Sequence, residues 1–442
     1  MSEPLPLDRR SALRVLIVSD TASVKFGGEA IHPVHYFRIL RSRGIDTRLV
    51  VGGRDRDELE SLFPNDLDRL FYVPDTFVHR LLCRCEQPLP KRLSSFSFGL
   101  LRRLWSQVVA RRIVRQLVAE HKIDVIHQPI PLAAKESSLL YDVGAPVVIG
   151  PLNGAMDFPP AFRGRQSAIE ALFMRAGRWA SQMVNRMMPG KLNAATVLVA
   201  NDRTRQALPT GIRGKVVTLI DNCVDLATWK PAERTQAAAN EPARFVYLGR
   251  LVDWKAVDLL LEAFVSVAKA TSATLDIIGD GELRGQLEAQ AAQSGIADRV
   301  RFRGWKSQAE CAAELRSATA LVLPSLYECG GAVVLEAMAS GLAVIATNWG
   351  GPADYVNESC GILVEPSSRE TFLAGLASGM TRLAQDPALA VRMGEAGRER
   401  VVSHFDWQWK VDRTLEIYAD AVQRTRRHEA DQPTSELQSV GA

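Results

Sequence analysis

The sequence predicts an α/β protein made of two doubly wound parallel-sheet domains. Three observations carry that reading. Residues 321–355 open with a short apolar strand, Leu321-Val322-Leu323, closed by Pro324-Ser325 and a loop. A helix rich in Ala, Leu and Met follows over 332–340, stopped by Gly341, and then a second buried strand over 342–346. Strand, loop, helix, strand is a unit whose two strands run parallel. The start of the chain repeats the pattern, with a strand at 14–19, a loop, a helix at 29–43 and a strand at 46–51. Finally, residues 1–230 carry 33 Lys and Arg against 22 Asp and Glu, and the rest carries 21 against 28. Two halves of opposite sign point to two domains with different partners. The polar stretch 226–243, without apolar period, reads as the linker between them.

Composition bounds the class. At 442 residues and 47% apolar content, the chain can bury substantial cores. It has no run of about 18 uninterrupted apolar residues, so no membrane-spanning helix is expected. Residues 1–13 are polar and lack the apolar core of a signal peptide. The six cysteines are scattered, and Cys83-x-Cys85 alone is no zinc signature. These features set a cytoplasmic expectation with free thiols.

In a parallel sheet, ligands sit beyond the carboxyl ends of the strands. Glu328 and the Gly330-Gly331 pair fall there, at a helix start whose backbone N–H groups lack intrahelical partners and suit an anion. A carboxylate beside a phosphate would repel it. Glu328, and Glu336 one turn further in, therefore suit neutral hydroxyls. Glu336 is embedded among Val333-Val334-Leu335 and Ala337-Met338-Ala339, where a charge is costly unless bound. Phosphate plus hydroxyls describes a sugar nucleotide.

This stretch resembles the retaining GT-B glycosyltransferases of the family 4-like group, the glycosyl transferases group 1. Their mark is a Glu, seven residues, a second Glu, then Ala-Met-Ala-x-Gly. Glu328, Glu336 and Ala337-Met338-Ala339-Ser340-Gly341 have that order, and Gly350-Gly351 matches a downstream Gly-Gly. Gly249-Arg250-Leu251-Val252-Asp253-Trp254-Lys255 resembles the family's Gly-Arg-Leu-x-x-x-Lys, with Ala256 where a Gly usually follows. Asn222-Cys223-Val224-Asp225 resembles Asn-Gly-Val-Asp, with Cys223 for the Gly.

The resemblance implies a GT-B fold, two Rossmann-like domains facing each other across a cleft. The expected organisation is a tail at 1–12, an acceptor-binding domain at 13–225, the linker at 226–243 and a nucleotide-sugar domain at 244–405. A helix at 406–422 would return to the first domain, and 423–442 would be a disordered tail. It implies sugar transfer from a nucleotide-sugar donor to an acceptor hydroxyl with retained anomeric configuration, without metal or other cofactor. Arg250 and Lys255 would grip the donor diphosphate, since two cations can neutralise two phosphates. Glu336 would hold the ribose and Glu328 the sugar. Gly330, Gly331 and Ala332 would complete the donor site, with Trp305 beside the base and Gly27-Gly28 at the donor phosphates. Many relatives carry a His after the strand at 147–149. Here the sequence is Gly150-Pro151-Leu152-Asn153, so Asn153, Asp157 or His127 would serve at the acceptor side.

Between Arg80 and Arg115 there are nine Lys and Arg and one acidic residue, interleaved with Phe, Leu and Trp, and 163–191 is similar. The readings are a solvated helix face, in which Arg stems cover apolar surface, or peripheral docking on anionic lipid that brings a glycan or lipid-linked acceptor to the site. No nucleic-acid-binding motif accompanies the charge. Alternatives to transfer are a sugar-nucleotide epimerase on the same fold and a non-catalytic sugar-nucleotide-binding protein.

Overall fold

The structure is a computed structural model that describes residues 13–25, 28–86, 98–165, 181–231 and 242–431. Two compact units emerge. The first holds the described residues up to Gly154, those from 181 to Asp221 and those from Lys410 on. The second holds 155–165 and the described residues of 222–409.

Seven parallel strands build the first unit: β1 (Arg14–Val18), β2 (Asp46–Gly52), β3 (Leu70–Val73), β4 (Val125–Gln128), β5 (Val147–Leu152), β6 (Thr196–Val199) and β7 (Lys215–Thr218). Their order is β3-β2-β1-β4-β5-β6-β7. Every pairing is parallel, with Val15 opposite Thr47 on one side and Val125 on the other. Six strands build the second: β8 (Arg244–Leu248), β9 (Thr274–Ile278), β10 (Val300–Gly304), β11 (Ala320–Leu323), β12 (Ala343–Thr347) and β13 (Gly361–Val364), in the order β10-β9-β8-β11-β12-β13. Each sheet is a doubly wound, Rossmann-like α/β layer, and two such domains in one chain make the GT-B fold class.

Burial explains the strand compositions. β4, β5, β6, β11 and β12 are buried at every position because helices cover both faces, so they read as apolar runs without alternation. Leu16, Val50, Val114, Leu117, Ile126, Ile149 and Val197 meet in the first core. In the second, Phe245, Tyr247, Leu321, Leu335 and Val344 are fully buried.

The structure adjusts several sequence expectations. The basic stretch 80–115 resolves into the helices Phe77–Glu86 and Phe98–His121; the intervening residues, and 166–180 of the second basic stretch, lie outside the described residues. Strands β3 and β13 emerge where the sequence reading marked none. Residues 155–165 join the second unit although they precede the linker. At the linker's start Trp229 is buried and its N–H bonds to the Asp225 carbonyl, so those residues are packed. The last helix runs Trp407–Ala430, eight residues past its expected end at Val422 and into the expected disordered tail. From Lys410 it packs in the first unit. Its Tyr418 hydroxyl meets His127 Nδ1 at 2.6 Å, and its Arg424 donates to Ala195 O at 3.1 Å.

Candidate active site

The order of the second sheet reverses between β8 and β11, so the loops after these two strands flank the switch point where α/β sheets bind ligands. The sequence-predicted cations lie on one loop and Glu328 on the other.

The loop after β8 is fixed from below. Tyr247, fully buried, donates its hydroxyl to Arg250 O at 2.8 Å. A Cβ on Gly249 would sit 2.8 Å from that hydroxyl, so only glycine fits there. The chain then makes the short helical turn Asp253–Lys255 and passes Ala256 at φ +52°, a left-handed conformation. Ala256 thus holds a left-handed backbone conformation that glycine adopts more readily. The Arg250 side chain is exposed, its guanidinium 6.0 Å from the Trp254 ring. Lys255 Nζ pairs with the Glu328 carboxylate, both side chains being largely buried.

The loop after β11 is tied to its neighbours through the backbone. Leu326 N–H donates to Trp254 O at 2.9 Å, and Gly351 N–H to Glu328 O at 2.8 Å. Gly331 caps the helix Ala332–Ala339 at φ +74°, and a Cβ there would lie 3.1 Å from Glu328 Cγ. The start of this helix, at Gly331, stands beside the Glu328 side chain. The structure therefore brings together Lys255, Glu328, Gly330, Gly331 and Ala332, with Arg250 on the adjoining loop. Glu336 lies on the second turn of the same helix, half-buried, and no cation or hydrogen-bonding side chain pairs with it among the described residues. Burial pushes its carboxyl up to about 7. Burial, then the charge of Glu336, pushes the nearby Cys311 thiol up to about 11. Trp305, on the loop after β10, is 73% exposed, an aromatic face open to solvent.

The raised Glu336 carboxyl has a stability signature. A carboxyl held above its ordinary value in the folded state stabilises the fold below that value, and the contribution is lost as pH rises through about 7. Thermal melts from pH 4.5 to 8 should show a falling Tm component that Glu336→Gln removes. Parallel curves for both proteins would refute the assignment.

Among the first-unit candidates, the structure corrects two. His127 is fully buried, its Nε2 2.7 Å from Gly150 O and its Nδ1 2.6 Å from the Tyr418 hydroxyl. Burial holds the ring at about 4, a neutral packing element. Asn153 is buried too. Its amide donates to Asp221 Oδ2 at 3.1 Å, and its Oδ1 accepts from Gly154 N–H at 2.8 Å and Asn201 Nδ2 at 3.3 Å. Neither side chain is presented to an acceptor. Asp157 is exposed but belongs to the second unit. Gly28 opens the turn Gly28–Ala30 at φ +55°, and Gly27 lies outside the described residues.

Sequence reasoning missed a buried polar group around Asp221. His32 Nδ1 is 3.5 Å from its Oδ1, and Lys410 Nζ donates to its carbonyl. Burial raises the Asp221 carboxyl, against the opposing effects of Lys410 and Asn153. The members lie far apart in the chain, so no local motif marks them. Sequence reasoning gave no role to Ser325, two residues past β11, whose hydroxyl is fully buried and without a hydrogen-bond partner among the described residues. Its signal was its place at the carboxyl end of β11.

A sheet switch point lined by cations, a glycine-started helix and two glutamates offers partners for an anion and acceptors for hydroxyls. Comparison with known proteins agrees. Residues 230–400 match the family model described as Glycosyl transferases group 1, so the chain carries a domain of that kind. It is similar to the glycogen synthase of Mycobacterium tuberculosis, 34% identical over 222 residues, covering 50% of this chain and 52% of that protein. It is also similar to the MMP alpha-(1->4)-mannosyltransferase of Mycolicibacterium hassiacum, 26% identical over 437 residues, covering 93% and 99%. The chain thus spans about half the length of the first of these relatives. Among solved structures, Anabaena HepE in complex with UDP-glucose superposes with a TM-score of 0.60 at 14% identity, covering 92% of this chain and all of that one. That likeness concerns the fold.

Proposed function

We propose that the chain is a retaining, metal-independent glycosyltransferase that moves a sugar from a nucleotide-sugar donor to an acceptor hydroxyl in polysaccharide, lipopolysaccharide or other glycoconjugate assembly. The observation that carries this reading is the convergence of Lys255, Glu328 and the Gly330-Gly331 helix start beside Arg250 at the β8/β11 switch point. Arg250 and Lys255 counter the negative charge that develops on the leaving diphosphate, and the helix start adds its dipole. Glu336 accepts hydrogen bonds from the ribose and Glu328 from the sugar near its anomeric carbon. Trp305 borders the base. The departing phosphate takes the acceptor proton. The relatives' names, a glycogen synthase and a mannosyltransferase, support the reaction class.

The test is a melting screen with UDP-, GDP-, ADP- and dTDP-sugars, because a specific ligand stabilises by mass action. The stabilising donor is then incubated with and without acceptors, and the anomeric configuration of any product is read by NMR. A donor that is isomerised without acceptor would mean an epimerase. Activity should survive EDTA; loss restored by Mg²⁺ would count against metal independence.

Peripheral binding to anionic lipid forms part of the proposal. No helix among the described residues is long and apolar enough to cross a membrane. Phe77, Arg80, Leu81 and Arg84 are all exposed at helical spacing on one face of Phe77–Glu86. Leu101, Arg103, Arg112 and Arg115 are exposed on the next helix. Arg111 is otherwise engaged, donating to Tyr141 O at 2.8 Å with its guanidinium 4.0 Å from that ring. Each lipid-facing Arg contributes about 1 kcal/mol. Co-sedimentation with vesicles should rise with anionic lipid, fall with salt, and weaken when Arg80, Arg84, Arg103 and Arg112 become Gln. Indifference to lipid charge would point to a soluble acceptor.

A further inference from the structure

Glu328 stands on a loop, and a loop carboxylate acts on a sugar only if something holds the loop in place. Two of its ties come from the motif-bearing segments described above: Trp254 O accepts from Leu326 N–H, and Gly351 N–H donates to Glu328 O. A third set comes from residues that no motif marks. The chain enters the second unit through Gly154 at φ +140° and Ala155 at φ +56°. It then lays Met156, Asp157 and Phe158 along the back of the loop. Met156 and Phe158 are buried. The Phe158 ring lies 5.4 Å from Tyr327, the residue immediately before Glu328. Asp157 O accepts the indole N–H of Trp349 at 2.8 Å. A Cβ on Gly350 would stand 2.5 Å from Met156 Sδ and 2.3 Å from Glu328 O. Gly350 is thus sandwiched between the segment and the carbonyl of the catalytic glutamate.

We infer that 156–158 is a positioning strap for the Glu328 loop, with Phe158 its principal residue and Trp349 its tie, an inference that rests on the catalytic role proposed for Glu328. The two contacts that define the strap, Phe158 on Tyr327 and Asp157 O with Trp349, are made on the Glu328 loop and the segment before Gly350 rather than on the Arg250–Lys255 loop or Glu336. Donor binding and carboxylate placement should therefore separate on mutation. A displacement of about 1 Å at a reacting group can cost on the order of a hundredfold in rate, and a loop that samples several positions loses part of that.

The experiment uses the full chain with its donor and acceptor. Phe158→Ala should lower kcat by about tenfold and leave the donor KM within about twofold. Phe158→Tyr, which keeps the ring against Tyr327, should restore most of the rate. Trp349→Phe, which removes only the N–H, should show a smaller loss of the same kind. Amide hydrogen exchange supplies a readout independent of turnover. The Gly351 and Leu326 amides should exchange several-fold faster in Phe158→Ala, with β11 and β12 unchanged. A folded Phe158→Ala protein with wild-type kcat, or with unaltered exchange at both amides, overturns the inference. Failure of the underlying reading looks different: the wild-type protein would neither be stabilised by any nucleotide sugar nor consume one.

Discussion

Glu328→Gln should nearly abolish transfer, by roughly a hundredfold or more in kcat, while the protein keeps its fold. Glu328 is a loop residue whose backbone ties to Gly351 do not involve its carboxyl, so the amide should cost little stability. On the proposed reading, the change removes a charged acceptor for the sugar hydroxyls. Hydrogen bonds to a charged group contribute about 1.5–3 kcal/mol each, and roughly 2.7 kcal/mol is a hundredfold in rate. The ion pair with Lys255 adds a second, opposite effect. If Lys255 grips the diphosphate as proposed, Glu328 competes with the donor for that ammonium group in the free protein. The amide releases Lys255, so the free nucleoside diphosphate should bind several-fold more tightly to a protein that has lost its activity. Calorimetric titration of the diphosphate, set beside turnover assays, reads both. Retention of most activity by Glu328→Gln would remove it from the reaction. Unchanged diphosphate affinity would mean that the ion pair does not compete.

Lys255→Ala and Arg250→Ala should each lower kcat/KM by at least about tenfold, from the loss of one charge-assisted hydrogen bond to the diphosphate. The two should differ in detail. Lys255 is mostly buried and is paired with Glu328, so its removal leaves a carboxylate beside the donor phosphates and adds repulsion to the lost attraction. Arg250 is exposed, and its loss should be milder and more sensitive to salt. Steady-state kinetics with varied donor, repeated at two ionic strengths, checks both. Wild-type values for both variants would place the diphosphate elsewhere.

The sequence by itself determined most of the element types and the local shape of the loops that carry the donor-side motifs. Each signal there is local. The apolar runs of β11 and β12 follow from helices on both sheet faces. Gly331 at positive φ follows from a turn into a helix, and the Arg250–Lys255 spacing from a single strand-to-helix loop. Edges and ends were harder, because β3 and β13 are edge strands whose middle positions are only half-buried and the last helix carries polar residues to Ala430. Only the tertiary structure decided what depends on distant partners. Lys255 and Glu328 are 73 positions apart, and nothing local says that they pair. His127 reads as a strand-end candidate until Tyr418, 291 positions later, seals it in a buried hydrogen bond. Asn153 reads as a replacement for a catalytic histidine until Asp221, 68 positions on, takes its amide. Residues 150–157 read as a turn-rich stretch after β5, and the packing instead sets Met156 and Phe158 in the second unit, with the Phe158 ring against Tyr327. Burial and pairing are properties of the packed chain: a polar side chain becomes structural or functional according to which remote residues leave it facing solvent, and sequence spacing carries no measure of that.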